Sequence, residues 1–118
     1  MEILIVEEHL SLHSYLKREL EGADFTDAYS VRAGHKALHD GFLFICVGAC
    51  VKGSQPTTLP LIKKMDKKFG GPTFIFGMSG IPAFCEKMKK AGCDYVGDRI
   101  LMAEKIKEII KQARERRE

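Results

Sequence analysis

At 118 residues, 45% hydrophobic and 30% charged, the chain has the make-up of one ordinary folded domain, 1–118, able to bury roughly two-thirds of its unfolded surface in a single core. No apolar run nears the roughly 20 residues that cross a bilayer, and no basic stretch leads into a long apolar one at the N-terminus, so the expected setting is the cytoplasm. Net charge is +3, divided into −3 over residues 1–60 and +6 over residues 61–118. That asymmetry implies either a basic flank able to steer an acidic partner or a solvated lysine-rich helix surface.

The first strand is expected over residues 2–6, where Ile3-Leu4-Ile5-Val6 is continuously apolar, as when both faces of a parallel sheet are covered. It ends in two adjacent carboxylates, Glu7-Glu8. Residues 9–21 read as a helix with Leu12, Leu16 and Leu20 one turn apart, closed by Gly22. A weaker strand is expected near Phe25–Ser30, then a short helix over Ala33–His39 that closes at Gly41. The most apolar segment, Phe42–Val47, is the third strand. After a loop of two glycines and a proline, Thr57 or Thr58 can cap a helix running to about Lys68, with Pro60 in its first turn and Leu61, Ile62, Met65 and Phe69 as its buried stripe. Gly70-Gly71-Pro72 breaks the chain before a fourth strand at Thr73–Phe76. Ile81–Lys90 is the next helix, Cys93–Gly97 a short fifth strand, and residues 101–116 a last helix with Met102, Ile106, Ile109, Ile110 and Ala113 on one face.

Five strands alternating with five helices imply a doubly wound five-stranded parallel sheet of flavodoxin-like (βα)5 type, covered on both sides by right-handed crossovers. Ligands in such folds sit at the carboxyl ends of the strands, so Glu7, Glu8, Cys46 and Gly77 become the residues of interest. No cofactor is expected. The turn Glu7–His13 is acidic and lacks the glycines of a phosphate cradle. No nucleophile–base pair or metal set of an enzyme is apparent. His9 and His13, like His35 and His39, have the i, i+4 spacing that can bind Zn²⁺ or Ni²⁺, but no known zinc motif accompanies them. Cys46 and Cys50 could form a reversible disulfide, or could simply be a buried hydrophobe and a loop thiol. The C-terminal lysines and arginines alternate with Glu104, Glu108 and Glu115 and carry no recognition motif, so neither a nucleic acid nor a membrane is an expected partner.

Several segments in this order resemble the receiver domain of response regulators, the CheY-like family of two-component signalling. They are Ile3–Val6 with its acid pair, Ala33-Gly34-His35-Lys36-Ala37-Leu38, Pro72-Thr73-Phe74-Ile75-Phe76, and Ala91-Gly92-Cys93-Asp94-Tyr95-Val96. The resemblance implies an aspartate at the end of strand three that takes a phosphoryl group, an acid pair holding Mg²⁺, a Ser or Thr after strand four, and a Lys-Pro after strand five. Carried onto this chain, the acid pair is Glu7-Glu8, the acceptor position falls on Cys46, and the hydroxyl position falls on Gly77, with Ser79 two residues on. The lysine position falls on Asp98, followed by Arg99. No Asp or Glu occurs between Gly41 and Leu61. The expectation is therefore a degenerate pseudo-receiver that signals by protein contact without phosphorylation. Its docking face would be helix four, strand five and helix five, including Lys87, Lys90, Tyr95 and Arg99, and its partner an acidic patch or a second copy. The alternatives are a metal sensor at Glu7, Glu8 and His9, a redox sensor at Cys46, or the N-terminal regulatory domain of a longer regulator.

Overall fold

The computed structural model describes residues 1–117 and alternates strand with helix throughout. The elements are β1 (Glu2–Val6), α1 (Leu10–Glu19), β2 (Asp24–Ala28), α2 (Val31–Ala37), β3 (Phe42–Gly48), α3 (Leu59–Phe69), β4 (Phe74–Met78), α4 (Pro82–Ala91), β5 (Tyr95–Gly97) and α5 (Arg99–Arg117). All five strands are parallel in the order β2-β1-β3-β4-β5, so the expected doubly wound sheet is present. The strand order reverses between β1 and β3, which makes their carboxyl ends the switch point where a crevice opens.

Alternation along the strands divides the core in two. Leu4, Val6, Ile45, Val47 and Ile75 point to one side, where Leu61, Ile62 and Met65 of α3 and Met88 of α4 cover them. Ile3, Ile5, Phe44, Cys46 and Phe76 point to the other, under Leu12 and Leu16 of α1 and Met102 and Ile106 of α5. Each fully buried side chain of this size contributes about 1.5–3 kcal/mol. Gly92 lets α4 turn into β5: its φ is +130°, and a Cβ there would stand 2.5 Å from the Cβ of Asp66 on α3. Among the described residues no helix is long and apolar enough to cross a membrane.

Several local expectations change: β3 and β4 run on to Gly48 and Met78, β5 starts only at Tyr95, and α5 starts already at Arg99. α2 begins at Val31, not Ala33, because the Ser30 hydroxyl accepts the Ala33 amide and caps it, and it stops at Ala37 because Leu38 is already extended. β2 accordingly ends at Ala28 and not at Ser30. Thr58 does occupy the N-cap of α3, but its hydroxyl caps nothing; it donates back to the carbonyls of Gly48 (2.7 Å) and Ala49 (3.1 Å) at the tip of β3. Ala113 is exposed. A 19-residue α5 is about 28 Å long, and its last turns run past strands of roughly 17 Å.

Candidate functional site

The carboxyl ends of β1, β4 and β5 surround a crevice of about 310 Å³ whose walls include Glu7, His9, Leu12, Met78, Ser79 and Asp98. Glu7 follows β1 directly and is only 7% exposed. Its Oε1 accepts the amides of Glu8 (3.1 Å) and His9 (3.4 Å), which folds the carboxylate inward. The register Val6↔Val47 sets Glu7 across from Gly48, the last residue of β3. A Cβ on Gly48 would lie 2.0 Å from Glu7 Oε2, so the Glu7 carboxylate fills the space that a side chain at the end of β3 would need.

Two of the expected pocket residues lie elsewhere. Cys46 is fully buried two residues before the end of β3, facing α1 and α5. Gly77 stands inside β4 beneath α4, where a Cβ would meet Met88 Sδ at 2.8 Å and Cys93 Sγ at 3.0 Å. It is a packing glycine. The residues at the strand ends are Gly48 and Met78, with Ser79 next in line. For Cys46 the offset preserves the face, since two residues along a strand move a side chain about 7 Å along the axis without changing sides, whereas Gly77 and Met78 are neighbours that face opposite sides of the sheet.

Asp98 lines the crevice, but its carboxylate is engaged. Oδ1 accepts the amides of Ile100 (3.0 Å) and Leu101 (2.9 Å) and so caps α5. The Ser79 hydroxyl accepts the Ile81 amide at 3.0 Å on the way into α4. Groups that could face a ligand are thus spent on starting helices.

On the other flank, His13 is fully buried. Nε2 lies 2.7 Å from the Glu7 carbonyl and Nδ1 lies 2.6 Å from Asp27 Oδ1 on β2. Lys17 donates to the other carboxylate oxygen of Asp27, and the Tyr29 ring rests on the imidazole with centroids 4.3 Å apart. The Glu7 carbonyl only accepts, so Nε2 donates to it, and the Asp27 carboxylate stands against Nδ1 on the other side of the ring. Burial pushes the Asp27 carboxyl up, but hydrogen bonds from Lys17 and His13 outweigh it and leave it below the ordinary Asp value. The spacing that suggested a His9/His13 metal pair therefore has another meaning: His9 is exposed while His13 braces β1 to β2. The second pair also diverges, with His35 near Lys64 and His39 stacked on Phe42.

Glu7, Glu8 and His9 each bring one ligand atom within 4.8 Å of the others. Mg²⁺ wants a near-octahedral set of hard oxygens. Here Oε1 of Glu7 is turned onto backbone amides and β3 ends in Gly48, which offers no side-chain oxygen, so the donor set does not fit that ion. Nor is any cysteine activated. Burial pushes the thiols of Cys46 and Cys93 up to about 12. Burial together with Glu7 and Glu8 raises Cys50, and burial together with Asp98 raises Cys85.

The expected docking residues point in three directions. Tyr95 stacks on Phe76 and lies under Lys89 (5.9 Å) and Lys105 (5.0 Å), beside a cavity of about 230 Å³ with exposed Leu101 at its rim. Arg99 leaves that face and reaches the Tyr15 ring on α1, 5.5 Å away. Lys87 and Lys90 are exposed on α4. At 100° per residue, Lys87 lies on the edge of that helix opposite Lys89, toward α3.

No protein-family model matches this sequence, and no curated protein does. Solved structures match it closely in shape. A two-component response regulator from Clostridium difficile superposes with a TM-score of 0.76 at 19% identity, covering 96% of this chain and 98% of that one. A CheY-like receiver domain protein from Methanospirillum hungatei gives 0.74 at 20% identity over 98% and 97%. NtrX from Brucella abortus gives 0.72 at 20% identity; 97% of this chain is covered, but it spans only 28% of that one. At such identities the likeness shows the fold: a five-stranded parallel sheet with five helices, as in receiver domains.

Proposed function

We propose that the chain is a receiver-type signalling module that acts by protein contact, is not an enzyme, and takes no phosphoryl group on β3. The observation that carries this reading is the end of β3. Gly48 stands there without a side chain, and the Glu7 carboxylate fills the space beside it. An acyl phosphate needs a carboxylate, and none occurs between Gly41 and Leu61. The lysine that would offset a phosphoryl charge is replaced by Asp98, whose carboxylate caps α5.

Docking would use the edge formed by α4, β5 and α5, where Tyr95 offers an aromatic face between two lysines and Leu101 an apolar rim. An acidic patch beside one apolar side chain, or a second copy of this edge, would fit it. The test is a two-dimensional amide spectrum recorded with and without Mg²⁺ and beryllofluoride, a phosphoryl mimic. Unmoved resonances at Glu8, Gly48 and Ser79 support the reading. Saturable, Mg²⁺-dependent shifts at those residues overturn it.

A further inference from the structure

Three of the large apolar side chains left exposed share one place. Leu10 opens α1, Ile81 is the N-cap of α4 and Ile100 lies in the first turn of α5; they are 65%, 49% and 54% exposed. Each directly follows a residue of the crevice wall: His9, Gly80 and Arg99. Aliphatic groups from three helices therefore ring the mouth of the crevice, and Leu12 and Met78 line it within. Single exposed apolar residues need no explanation, but a group of them around a concave site marks a contact surface.

Inside this ring the charge is negative. Glu7 is more than nine-tenths buried, yet among the described residues it takes part in no ion pair. Oε1 is held by the amides of Glu8 and His9, whereas Oε2 meets no hydrogen-bond donor among the described residues. No fully buried side-chain oxygen lacks a partner there, so Oε2 keeps an edge open to the crevice that Glu7 helps to wall. Asp98 adds a second carboxylate to the wall, and Glu8 stands beside Glu7. Against them are His9, 3.7 Å from Glu8, and Arg99, whose guanidinium rests over Tyr15. A largely buried carboxylate without a cation is costly, and a cation brought by a partner would offset that cost.

We infer that the crevice mouth is a docking site for a partner protein segment that inserts a basic side chain flanked by aliphatic ones. This rests on the protein-contact reading, but it names a different surface from the α4–β5–α5 edge and the opposite charge for what docks there. The inserted arginine or lysine would meet Glu7 Oε2 and Asp98, while its aliphatic neighbours cover Leu10, Ile81 and Ile100. A crevice of about 310 Å³ admits one long side chain. The sign of the charge argues against phosphate-rich partners, nucleic acid and anionic bilayers alike. A two-fold contact between two such mouths would set carboxylate against carboxylate, which argues against a second copy.

The test titrates a fluorescein-labelled helical peptide, with Leu, Arg and Leu along one face, into the full chain. Glu7→Gln keeps an oxygen for the two amides and should weaken binding about tenfold or more, as should Gln in place of the peptide's Arg. Ile81→Ser with Ile100→Ser should weaken it by a similar factor. Leu101→Ser, on the α4–β5–α5 edge, should alter it less than about twofold. No binding to the parent chain, or equal binding of peptides with Gln or Glu in place of Arg, would overturn the proposal. Loss on Leu101→Ser but not on the Ile81/Ile100 pair would remove the crevice contact while leaving protein contact at the edge intact. Mg²⁺-dependent beryllofluoride shifts, by contrast, would overturn the reading beneath it. Circular dichroism reports whether each variant keeps the fold, and the Gln peptide tests the cation on an unaltered chain.

Discussion

The two flanks of the crevice are closed in different ways. On the β1–β2 flank a buried side chain does the work: His13 ties the Glu7 carbonyl to Asp27 across two strands, with Lys17 and Tyr29 completing the cluster. On the β3–β5 flank the polar groups belong to turns. Ser79 leads into α4 and Asp98 starts α5, both at exposed helix ends, while the buried Thr58 hydroxyl holds the β3 tip. A network buried away from water is costly to break, whereas a cap at a wet helix end costs little. The difference teaches that a strand-end crevice can lose its ligand-facing groups to architecture, and that the two flanks should respond unequally to mutation.

His13→Ala gives the sharpest test of that inequality. It removes a ring that is fully buried, leaves the Glu7 carbonyl without its donor, and opens a void under α1. A loss of about 2–4 kcal/mol is expected from urea unfolding. A loss under about 1 kcal/mol would mean that the brace is ornamental and that the flanks are equivalent. His13→Gln, which can still donate one hydrogen bond, should lie between.

Gly48→Ala probes where the flanks meet. Its new methyl must displace Glu7 Oε2, at a cost of about 1–3 kcal/mol. In a Glu7→Ala background that cost should vanish, and a double-mutant cycle reads the difference directly. An equal cost in both backgrounds would place the clash elsewhere. Asp98→Ala, on the cap side, should cost about 1 kcal/mol, the ordinary worth of an N-cap, with Asp98→Asn close to neutral. A cost matching that of His13→Ala would erase the distinction between the flanks.

Much of this arrangement is readable in the residues, and the unread part has one physical origin. Apolar runs and glycine stops locate all ten elements because burial on both faces of a parallel sheet leaves a continuous signature. The last residue of a strand leaves none. Val47-Gly48-Ala49 is as bland as the residues before it, and only the pairing of Val6 with Val47 shows that Gly48, not Cys46, ends β3 opposite Glu7. The histidine spacing fails for a related reason. His9 and His13 are one turn apart, but His9 precedes the helix while His13 turns inward beside Leu12 and Leu16, a difference that depends on where α1 starts. Ser30 is the opposite case. A cap signal stood in plain view before Val31 and would have corrected both β2 and α2.

The smallest expected effect is a slope in pH on the braced flank. Lys17 and His13 hold the Asp27 carboxyl below its ordinary value despite the burial that raises it. A carboxyl depressed in the folded state contributes stability above its unfolded pKa, and that contribution fades as pH falls through the lower, folded one. The window therefore opens near the ordinary Asp value of 3.8 and extends to more acid conditions. Asp27→Asn should flatten this part of the acid limb in urea unfolding followed point by point with pH, whatever constant offset the substitution adds. The slope is small because Asp27 keeps 22% of its side chain in solvent, which screens the ion pair. If Asp27→Asn leaves the limb unchanged, the His13–Asp27 contact is a neutral hydrogen bond, and the β1–β2 flank is held by shape more than by charge.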